Sequence, residues 1–124
     1  MRCLALNLYF EARSDGDEGM IAVGWVVLNR IADAKHPNTV CEVIHQGGET
    51  PPCHWSWWCD GRSDIPTEPK AWARAQEIAR VLLSAPPPDP THGALWFHNA
   101  SIDRPDWLQI QEPTARIGGH IFYR

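Results

Sequence analysis

The stretch that decides the fold is residues 20–28, which read Met-Ile-Ala-Val-Gly-Trp-Val-Val-Leu. It is apolar nearly all round, and that pattern predicts a helix buried on every side rather than a surface helix. The uncharged run around it, 19–29, is only eleven residues long, whereas a membrane span needs about 20. We therefore expect a central core helix over 15–34 and no insertion into a membrane.

A first helix, predicted over 2–13, carries polar groups beside its apolar face. Leu4 and Leu8 recur at helical spacing, and Cys3, Asn7 and Glu11 form a second line next to them. Glu11 falls in the last turn, where the helix dipole and partial burial both disfavour its charged form. A carboxyl kept protonated in this way can protonate a leaving oxygen in glycoside cleavage. The alternative is that Glu11 is a solvated surface residue, as most acidic residues at helix ends are.

Two further helices and a sheet complete the pattern. Asp15 and Thr39 each begin a capping-box sequence, before the central helix and before a short third helix. A fourth helix is expected from Thr67 to the prolines at 86–88. The expected strands are 94–98, 108–110, 115–117 and 121–123. Four helices followed by a small antiparallel sheet predict a single α+β domain over 1–124.

Four cysteines are present. Cys53 and Cys59 bracket a loop too wide for a zinc knuckle, and a disulfide between them would stiffen it in an oxidising compartment. The sequence leaves the reduced and oxidised states of this pair open. Cys3 and Cys41 lie in apolar helical contexts, which favours small core residues.

The seven tryptophans are the second unusual feature, and three of them fall within 53–61. This part of a predicted loop or hairpin over 47–66 has no helical period. Strand-like alternation would send Trp55 and Trp57 to one face and Trp58 to the other. Flat amphipathic rings suit sugar faces and bind them without charge, although capping of a small core is equally open for Trp57, Trp58 and Trp107.

Charge and histidine content limit the other functional classes. A net charge of −4 with no basic stripe disfavours nucleic acid as a partner. His92, His98 and His120, with Asp60 or Asp103, are pieces from which a zinc amidase could be built. No short metal-ligand spacing such as H-E-x-x-H is present, so we predict no metal and no cofactor.

Seven segments along nearly the whole chain match one known family in order. They read LNLYFEAR at 6–13, AVGWVVLNR at 22–30, PNTVCEVIHQ at 37–46, WSW at 55–57, CDG at 59–61, GALWFHN at 93–99 and IGGHIFY at 117–123. This combination resembles the SleB/CwlJ-type cell wall hydrolases, known from spore cortex-lytic enzymes and from relatives in other bacteria and phages. The resemblance implies a lysozyme-like catalytic domain that acts on the glycan strands of peptidoglycan.

The resemblance also implies a mechanism. It makes Glu11 the catalytic acid and favours cleavage between N-acetylmuramic acid and N-acetylglucosamine by a lytic transglycosylase that needs one carboxylate. A hydrolytic muramidase would need a second carboxylate, for which Asp15 and Asp60 are the sequence candidates. An N-acetylmuramoyl-L-alanine amidase, which would be zinc-dependent, is the other alternative. The expected substrate-binding residues are Ser56, Trp57, Trp58, Asp60, Trp96, His98 and Asn99.

Two departures from the family pattern bear on specificity. Ser14-Asp15 stands where the family has Gly-Glu, and His54-Trp55 stands where it has Gln-Phe. Met1-Arg2 leads directly into a helical pattern, from which no signal peptide is expected. These features resemble a phage endolysin that stays in the cytoplasm until a membrane hole releases it to the cell wall. We expect a monomer.

Overall fold

A computed structural model describes residues 1–49 and 53–124; positions 50–52 of the predicted loop lie outside the described residues. The helices are α1 (Arg2–Ala12), α2 (Gly16–Ala32), α3 (Val40–Ile44), α4 (Ser56–Cys59) and α5 (Pro69–Ser84). The strands are β1 (Trp96–Asn99), β2 (Pro113–Ile117) and β3 (His120–Tyr123), and short 3-10 turns span Arg13–Asp15 and Asp106–Leu108. None of the helices in the described part has the length and apolar character needed to cross a membrane.

The central helix predicted from residues 20–28 is confirmed. Val23, Val26 and Val27 of α2 are fully buried, and α2 packs against both α1 and α5. Gly24 permits this packing, because a Cβ atom there would lie 2.3 Å from Leu82 Cδ1 of α5. A side chain at position 24 would therefore force the buried Leu82 side chain to move.

The sheet has three antiparallel strands in the order β1-β3-β2, which confirms the α+β class. Its central strand, β3, pairs His120 with Asn99 of β1 and with Ile117 of β2. The predicted strand at 108–110 is wrong, because Leu108 is the last residue of a 3-10 turn and no strand follows it. Leu108 is buried but Ile110 is 90% exposed, so the two apolar residues do not share one buried face.

The two predicted helix caps have different outcomes. Thr39 caps α3 as expected, because its hydroxyl oxygen accepts a hydrogen bond from the Glu42 backbone N–H at 3.3 Å. Asp15 makes no side-chain cap on α2. Its carboxylate instead accepts a hydrogen bond from the backbone N–H of Gly119, 3.1 Å away in the turn between β2 and β3. The start of α2 is thereby tied to the sheet.

All four cysteines form disulfides. The expectation that Cys3 and Cys41 are unpaired core residues is wrong, because α1 and α3 bring their Cα atoms to 5.4 Å and the thiols are bonded. Cys53 and Cys59 are also bonded, the oxidised alternative for that pair. The segment between them contains the helical turn α4, where the sequence predicted a loop or hairpin. A single turn is too short to produce a helical period in the sequence.

Candidate active site

The polar line on α1 builds one wall of a cleft. Cys3 bonds this helix to α3, and the buried amide of Asn7 accepts a hydrogen bond from Trp57 Nε1 at 2.8 Å. One residue before Glu11, Phe10 stacks on the Trp57 ring with centroids 5.2 Å apart. The contacts of Asn7 and Phe10 hold α4 against α1. The polar line on α1 is thereby explained, because Cys3 attaches the helix to α3 and Asn7 attaches it to α4.

Glu11 lies where two neighbouring cavities meet, and both are lined by Phe10, Glu11 and Ser56. The loop-side cavity, of about 330 Å³, is otherwise lined by Arg13, Trp57, Asp60, Arg62, Ser63 and Asp64. The sheet-side cavity, of about 470 Å³, is otherwise lined by Arg30, Cys53, His54, Trp55, Phe97, His98, Asn99, Ile102, Pro105, Trp107 and His120. Together they form one cleft with the carboxyl of Glu11 at its middle.

The carboxyl of Glu11 is poised to donate a proton. Burial raises its pKa from 4.5 to about 7, and the positive charge of Arg30 limits the rise. Arg13, the neighbouring charge that could have opposed this shift, pairs with Glu68 and lies over the Tyr9 ring. A substantial fraction of Glu11 is therefore protonated at neutral pH, which suits a general acid.

Arg30 lines the sheet-side cavity beside Glu11 and was not among the candidate residues predicted from the sequence. It is only 5% exposed, its Nε donates to the Leu95 carbonyl at 2.8 Å, and its guanidinium lies over the Trp55 ring. Burial lowers its pKa to about 10, and the negative charge of Glu11 counteracts this. No described residue accepts a hydrogen bond from its Nη1. The sequence feature that could have identified Arg30 is its position as the first charged residue after the uncharged run 19–29.

The sheet contributes two buried histidines to the cleft. His98 has both ring nitrogens engaged, Nδ1 with the Asn99 carbonyl at 2.9 Å and Nε2 with the Tyr123 hydroxyl at 2.8 Å. His120 lies with Nδ1 2.8 Å from Asp15 Oδ2. The contact between His120 Nδ1 and Asp15 Oδ2 is short enough for an ion pair, but its geometry is too far off axis for a hydrogen bond. Asp15 thus supports the sheet wall without lining either cavity.

The structure brings together most, but not all, of the predicted site residues. Ser56, Trp57 and Asp60 line the loop-side cavity with Glu11, and Ser56, His98 and Asn99 line the sheet-side cavity with it. Two predicted contacts, Trp58 and Trp96, line neither cavity.

Trp58 and Trp107 differ in whether their rings are open to a ligand. Trp58 stacks on His45 with centroids 3.8 Å apart and lines neither cavity. Trp107, at the rim of the sheet-side cavity, is 59% exposed. An aromatic ring open to solvent at the edge of a cleft is available for stacking on a ligand.

The histidines proposed as metal ligands are not gathered in one place. His92 lines a separate cavity with Pro88 and Thr114, whereas His98 and His120 line the sheet-side cavity. Within residues 1–49 and 53–124, no three His, Cys, Asp or Glu side chains are grouped so as to hold a metal ion.

The site thus combines a shielded acid with a cavity on either side of it, in a helical domain with a small sheet. The family model described as Cell Wall Hydrolase matches residues 14–123. The chain belongs to this cell wall hydrolase family. The match begins at Ser14 and so does not include Glu11. Any role assigned to Glu11 therefore rests on the geometry of the site.

Relatives support the same family over nearly the whole chain. The spore cortex-lytic enzyme of Bacillus subtilis (strain 168) is 33% identical over 122 residues, which are 98% of this chain and 36% of that protein. The spore cortex-lytic enzyme of Oceanobacillus iheyensis is 33% identical over 124 residues, 98% of this chain and 40% of that protein. The chain thus spans less than half the length of these relatives.

A solved structure has the same fold. The catalytic domain of the germination-specific lytic transglycosylase SleB from Bacillus anthracis superposes with a TM-score of 0.78 at 29% identity, covering 99% of this chain and 92% of that one. The catalytic domain of the Bacillus cereus SleB protein superposes with a TM-score of 0.65 at 26% identity, covering 98% and 88%. The molecule therefore has the fold of the SleB catalytic domain.

Proposed function

We propose that this domain cleaves the glycan strand of peptidoglycan between N-acetylmuramic acid and N-acetylglucosamine, as a lytic transglycosylase with Glu11 as its acid. The observation that carries the proposal is the position of Glu11 where the two cavities meet, with a pKa raised to about 7 by burial. A polymer that occupies both cavities would cross the acid in the middle of its length. The name of the Bacillus anthracis relative, a lytic transglycosylase, supports the same reaction.

In this mechanism, protonated Glu11 donates to the glycosidic oxygen while positive charge develops at C1 of the muramic residue. The Glu11 carboxylate then takes the proton of the C6 hydroxyl of the same sugar, while the C6 oxygen bonds to C1 and closes an anhydro ring, and Glu11 is protonated again for the next cycle. This route needs no water and no second carboxylate at C1. The net charge of −4 leaves hydrogen bonds and stacking, rather than long-range attraction, to hold the glycan.

The cleft offers both kinds of contact. Ser56 lines both cavities and Asn99 lines the sheet-side cavity, where they could orient acetamido groups of the glycan. We assign Trp107 as the stacking platform of the sheet-side cavity, because its ring is exposed at the rim. Trp58 and Trp96 stay predictions as glycan contacts, reached only by a chain that extends beyond the two cavities.

A hydrolytic muramidase is the second candidate, and one observation favours it. Asp60 lines the loop-side cavity with Glu11, so a second carboxylate is present on that side of the acid. Asp15, the other candidate, is occupied by Gly119 and His120. The two reactions differ in what attacks C1, either the C6 hydroxyl or a water molecule.

The test is mass spectrometry of the soluble products from purified peptidoglycan sacculi. We expect anhydro-muramic ends from the wild type, none from Glu11→Gln, and normal products from the control Glu18→Gln, which alters an exposed acid in a separate cavity. Reducing muramic ends would identify a muramidase, and new L-alanine amines an amidase. Sacculi bound without soluble products would identify a wall-binding module.

We also propose that the domain acts at the cell wall as a monomer. Size-exclusion chromatography with light scattering, at concentrations used in the sacculus digestion, tests the second part. A mass near 14.0 kDa supports it, and a dimer mass contradicts it.

A further inference from the structure

The loop-side cavity carries charges that the proposed reaction does not use. Besides Glu11, it is lined by two arginines and two aspartates, Arg13, Arg62, Asp60 and Asp64. The sugars of the glycan present hydroxyl and acetamido groups, which are polar but uncharged. An uncharged strand alone would therefore leave these four side chains without a charged partner from the substrate.

Two of the four side chains already have partners in the protein. Arg13 pairs with Glu68, and Asp60 Oδ1 accepts a hydrogen bond from the backbone N–H of Arg62 at 2.8 Å. The side chains of Arg62 and Asp64 are different, because neither belongs to an ion pair in the part of the chain that the structure describes. They line the same cavity two positions apart and do not pair with each other. One cation and one anion of this described wall are thus available to a ligand.

The surroundings of Asp64 favour a positively charged partner. The residue is only partly exposed. Burial, with the negative charges of Asp60 and Glu49, raises the pKa of Asp64 above its usual 3.8. An incoming cation would offset both causes, because it pairs with the carboxylate and balances the neighbouring negative charges. Arg62 is exposed, and a guanidinium can bind a carboxylate through two parallel hydrogen bonds.

Peptidoglycan supplies charges of both signs on every second sugar. Each muramic residue carries a short stem peptide on the lactyl group at C3. This peptide has free carboxylates and, where its diamino acid is not cross-linked, a free amine. Because the two sugars alternate and the strand is cut between them at Glu11, a muramic residue lies one or two sugars from Glu11 on the loop side, whichever way the strand runs. Its stem peptide is thereby brought to the loop-side cavity.

We propose that the loop-side cavity binds the stem peptide of a muramic residue, with Arg62 on a peptide carboxylate and Asp64 on the amine of the diamino acid. The proposal rests on the proposed function and defines its substrate more closely, as glycan strands that still carry their peptides. Two pairs of opposite charge fix the direction of the peptide, since the reversed peptide would place like charges together. The domain therefore prefers peptide-bearing strands to strands from which the peptides have been removed.

The test compares two forms of one substrate. Sacculi are treated with an endopeptidase, which cuts the cross-links and leaves peptide-bearing strands, and one half is then stripped of its peptides by an amidase. The value of kcat/KM on each form is measured for every protein, and the ratio between the two forms is the readout. Because both values come from one protein sample, a fraction of unfolded protein cancels from the ratio.

The preference for peptides should depend on Arg62 and Asp64. The wild type should favour the peptide-bearing form about tenfold or more, as expected for two charge-assisted contacts. Arg62→Gln and Asp64→Asn should each lower this ratio about threefold or more. The matched controls are Arg80→Gln and Glu18→Gln, which alter exposed charges that line neither cavity of the cleft. Both controls should keep the wild-type ratio.

Acetylation of the peptide amines assigns each charge to its partner. It removes the cation proposed for Asp64 and leaves the carboxylates unchanged. On acetylated strands we expect the wild type to lose about threefold in kcat/KM, Arg62→Gln to lose as much, and Asp64→Asn to lose little further. An equal response of all three proteins would overturn the pairing of Asp64 with the amine.

Two results would overturn the inference: a wild-type ratio near one, or the wild-type ratio in both Arg62→Gln and Asp64→Asn. Stripping leaves a free lactyl carboxylate at C3, so an equal loss of Arg62→Gln on both forms would place Arg62 on the lactyl group and contradict the peptide site. If a variant is inactive, the wild-type values on peptide-bearing, stripped and acetylated strands decide.

Mass spectrometry of the wild-type products judges the proposed function separately. Anhydro ends released from both forms with a ratio near one reject only the peptide site. Cleavage without anhydro ends from either form rejects the transglycosylase reaction itself.

Discussion

The two cavities that meet at Glu11 differ in chemistry. The sheet-side cavity is lined by aromatic rings and histidines and opens at the exposed Trp107. The loop-side cavity is lined, besides Glu11, by two acids and two arginines, and burial, with the charges of Asp60 and Glu49, raises the pKa of Asp64. For the proposed glycan substrate, the contrast predicts stacking in the sheet-side cavity and hydrogen bonds in the loop-side cavity. Glu11 lies at the border between the two.

The strongest test removes the acid at this border. Glu11→Gln should lower the rate of product release at least about 100-fold, because the amide has no proton to donate to the leaving oxygen. Release of soluble muropeptides from labelled sacculi measures it. A variant that keeps even a tenth of the wild-type rate would remove Glu11 from the mechanism.

The same substitution should stabilise the fold. The pKa of Glu11 is about 7 when folded against 4.5 unfolded, so the native state loses stability as the pH rises from about 4.5 to about 7. The shift corresponds to at most about 3 kcal/mol. Glu11→Gln should therefore unfold at higher urea concentration than the wild type at pH 8 and at nearly the same concentration at pH 4. Equal midpoints at both values would contradict a buried acid.

The two disulfides allow the stability of the domain and the activity of the cleft to be tested separately. Cys3–Cys41 closes 38 residues and Cys53–Cys59 closes 6, so chain entropy predicts losses of about 4 and about 2 kcal/mol when each pair is changed to alanine. Only the second pair brackets the segment that carries Ser56 and Trp57. We expect Cys53→Ala/Cys59→Ala to lose more activity and less stability than Cys3→Ala/Cys41→Ala, by urea unfolding and sacculus digestion. If Cys3→Ala/Cys41→Ala lost more activity than Cys53→Ala/Cys59→Ala, α4 would not contribute to the active site.

A smaller effect is expected from the sheet-side rim. Trp107→Ala should raise KM about tenfold with little change in kcat, because stacking on a sugar face is lost. Ile110→Ala is the matched control, since Ile110 is 90% exposed and lines neither cavity. Sedimentation with sacculi, using Glu11→Gln as the background, gives the affinity directly. Equal effects at the two positions would indicate nonspecific adsorption.

The smallest effect is expected on the loop side. If the C6 hydroxyl attacks C1, Asp60→Asn should change the rate by less than about fivefold and leave anhydro ends as the product. A large loss of rate, with reducing ends in the wild type, would make Asp60 the second carboxylate of a muramidase.

The helices other than α4, and the place of Glu11 in the last turn of α1, were predictable from sequence because their signals are local. The apolar run at 20–28 and the cap at Thr39 depend on neighbours within a few residues, and so does the position of Glu11 at a helix end. The sequence alone could not show which charge opposes the pKa shift of Glu11, because Arg30 reaches it from a different helix. The pairing of Cys3 with Cys41 was missed for the same reason, since it depends on how α1 and α3 meet.

The tryptophans show a second limit. A ring's residue type indicates that it can stack on a sugar, but not whether the fold leaves its face open. Trp58 is covered by His45, whereas Trp107 is exposed in a 3-10 turn. Composition pointed to a carbohydrate site, and only the packing distinguishes the rings that can contribute to it.

The contact between Asp15 and Gly119 joins residues 104 positions apart, and this has a consequence for folding. Contacts so distant in the chain form late, because a long loop must close before they return any free energy. The helical wall can assemble from the first half of the chain, but the sheet wall docks only after β3 has been synthesised. A partly made chain thus has the acid without the cleft, and catalytic competence is the last property that the domain acquires as it folds.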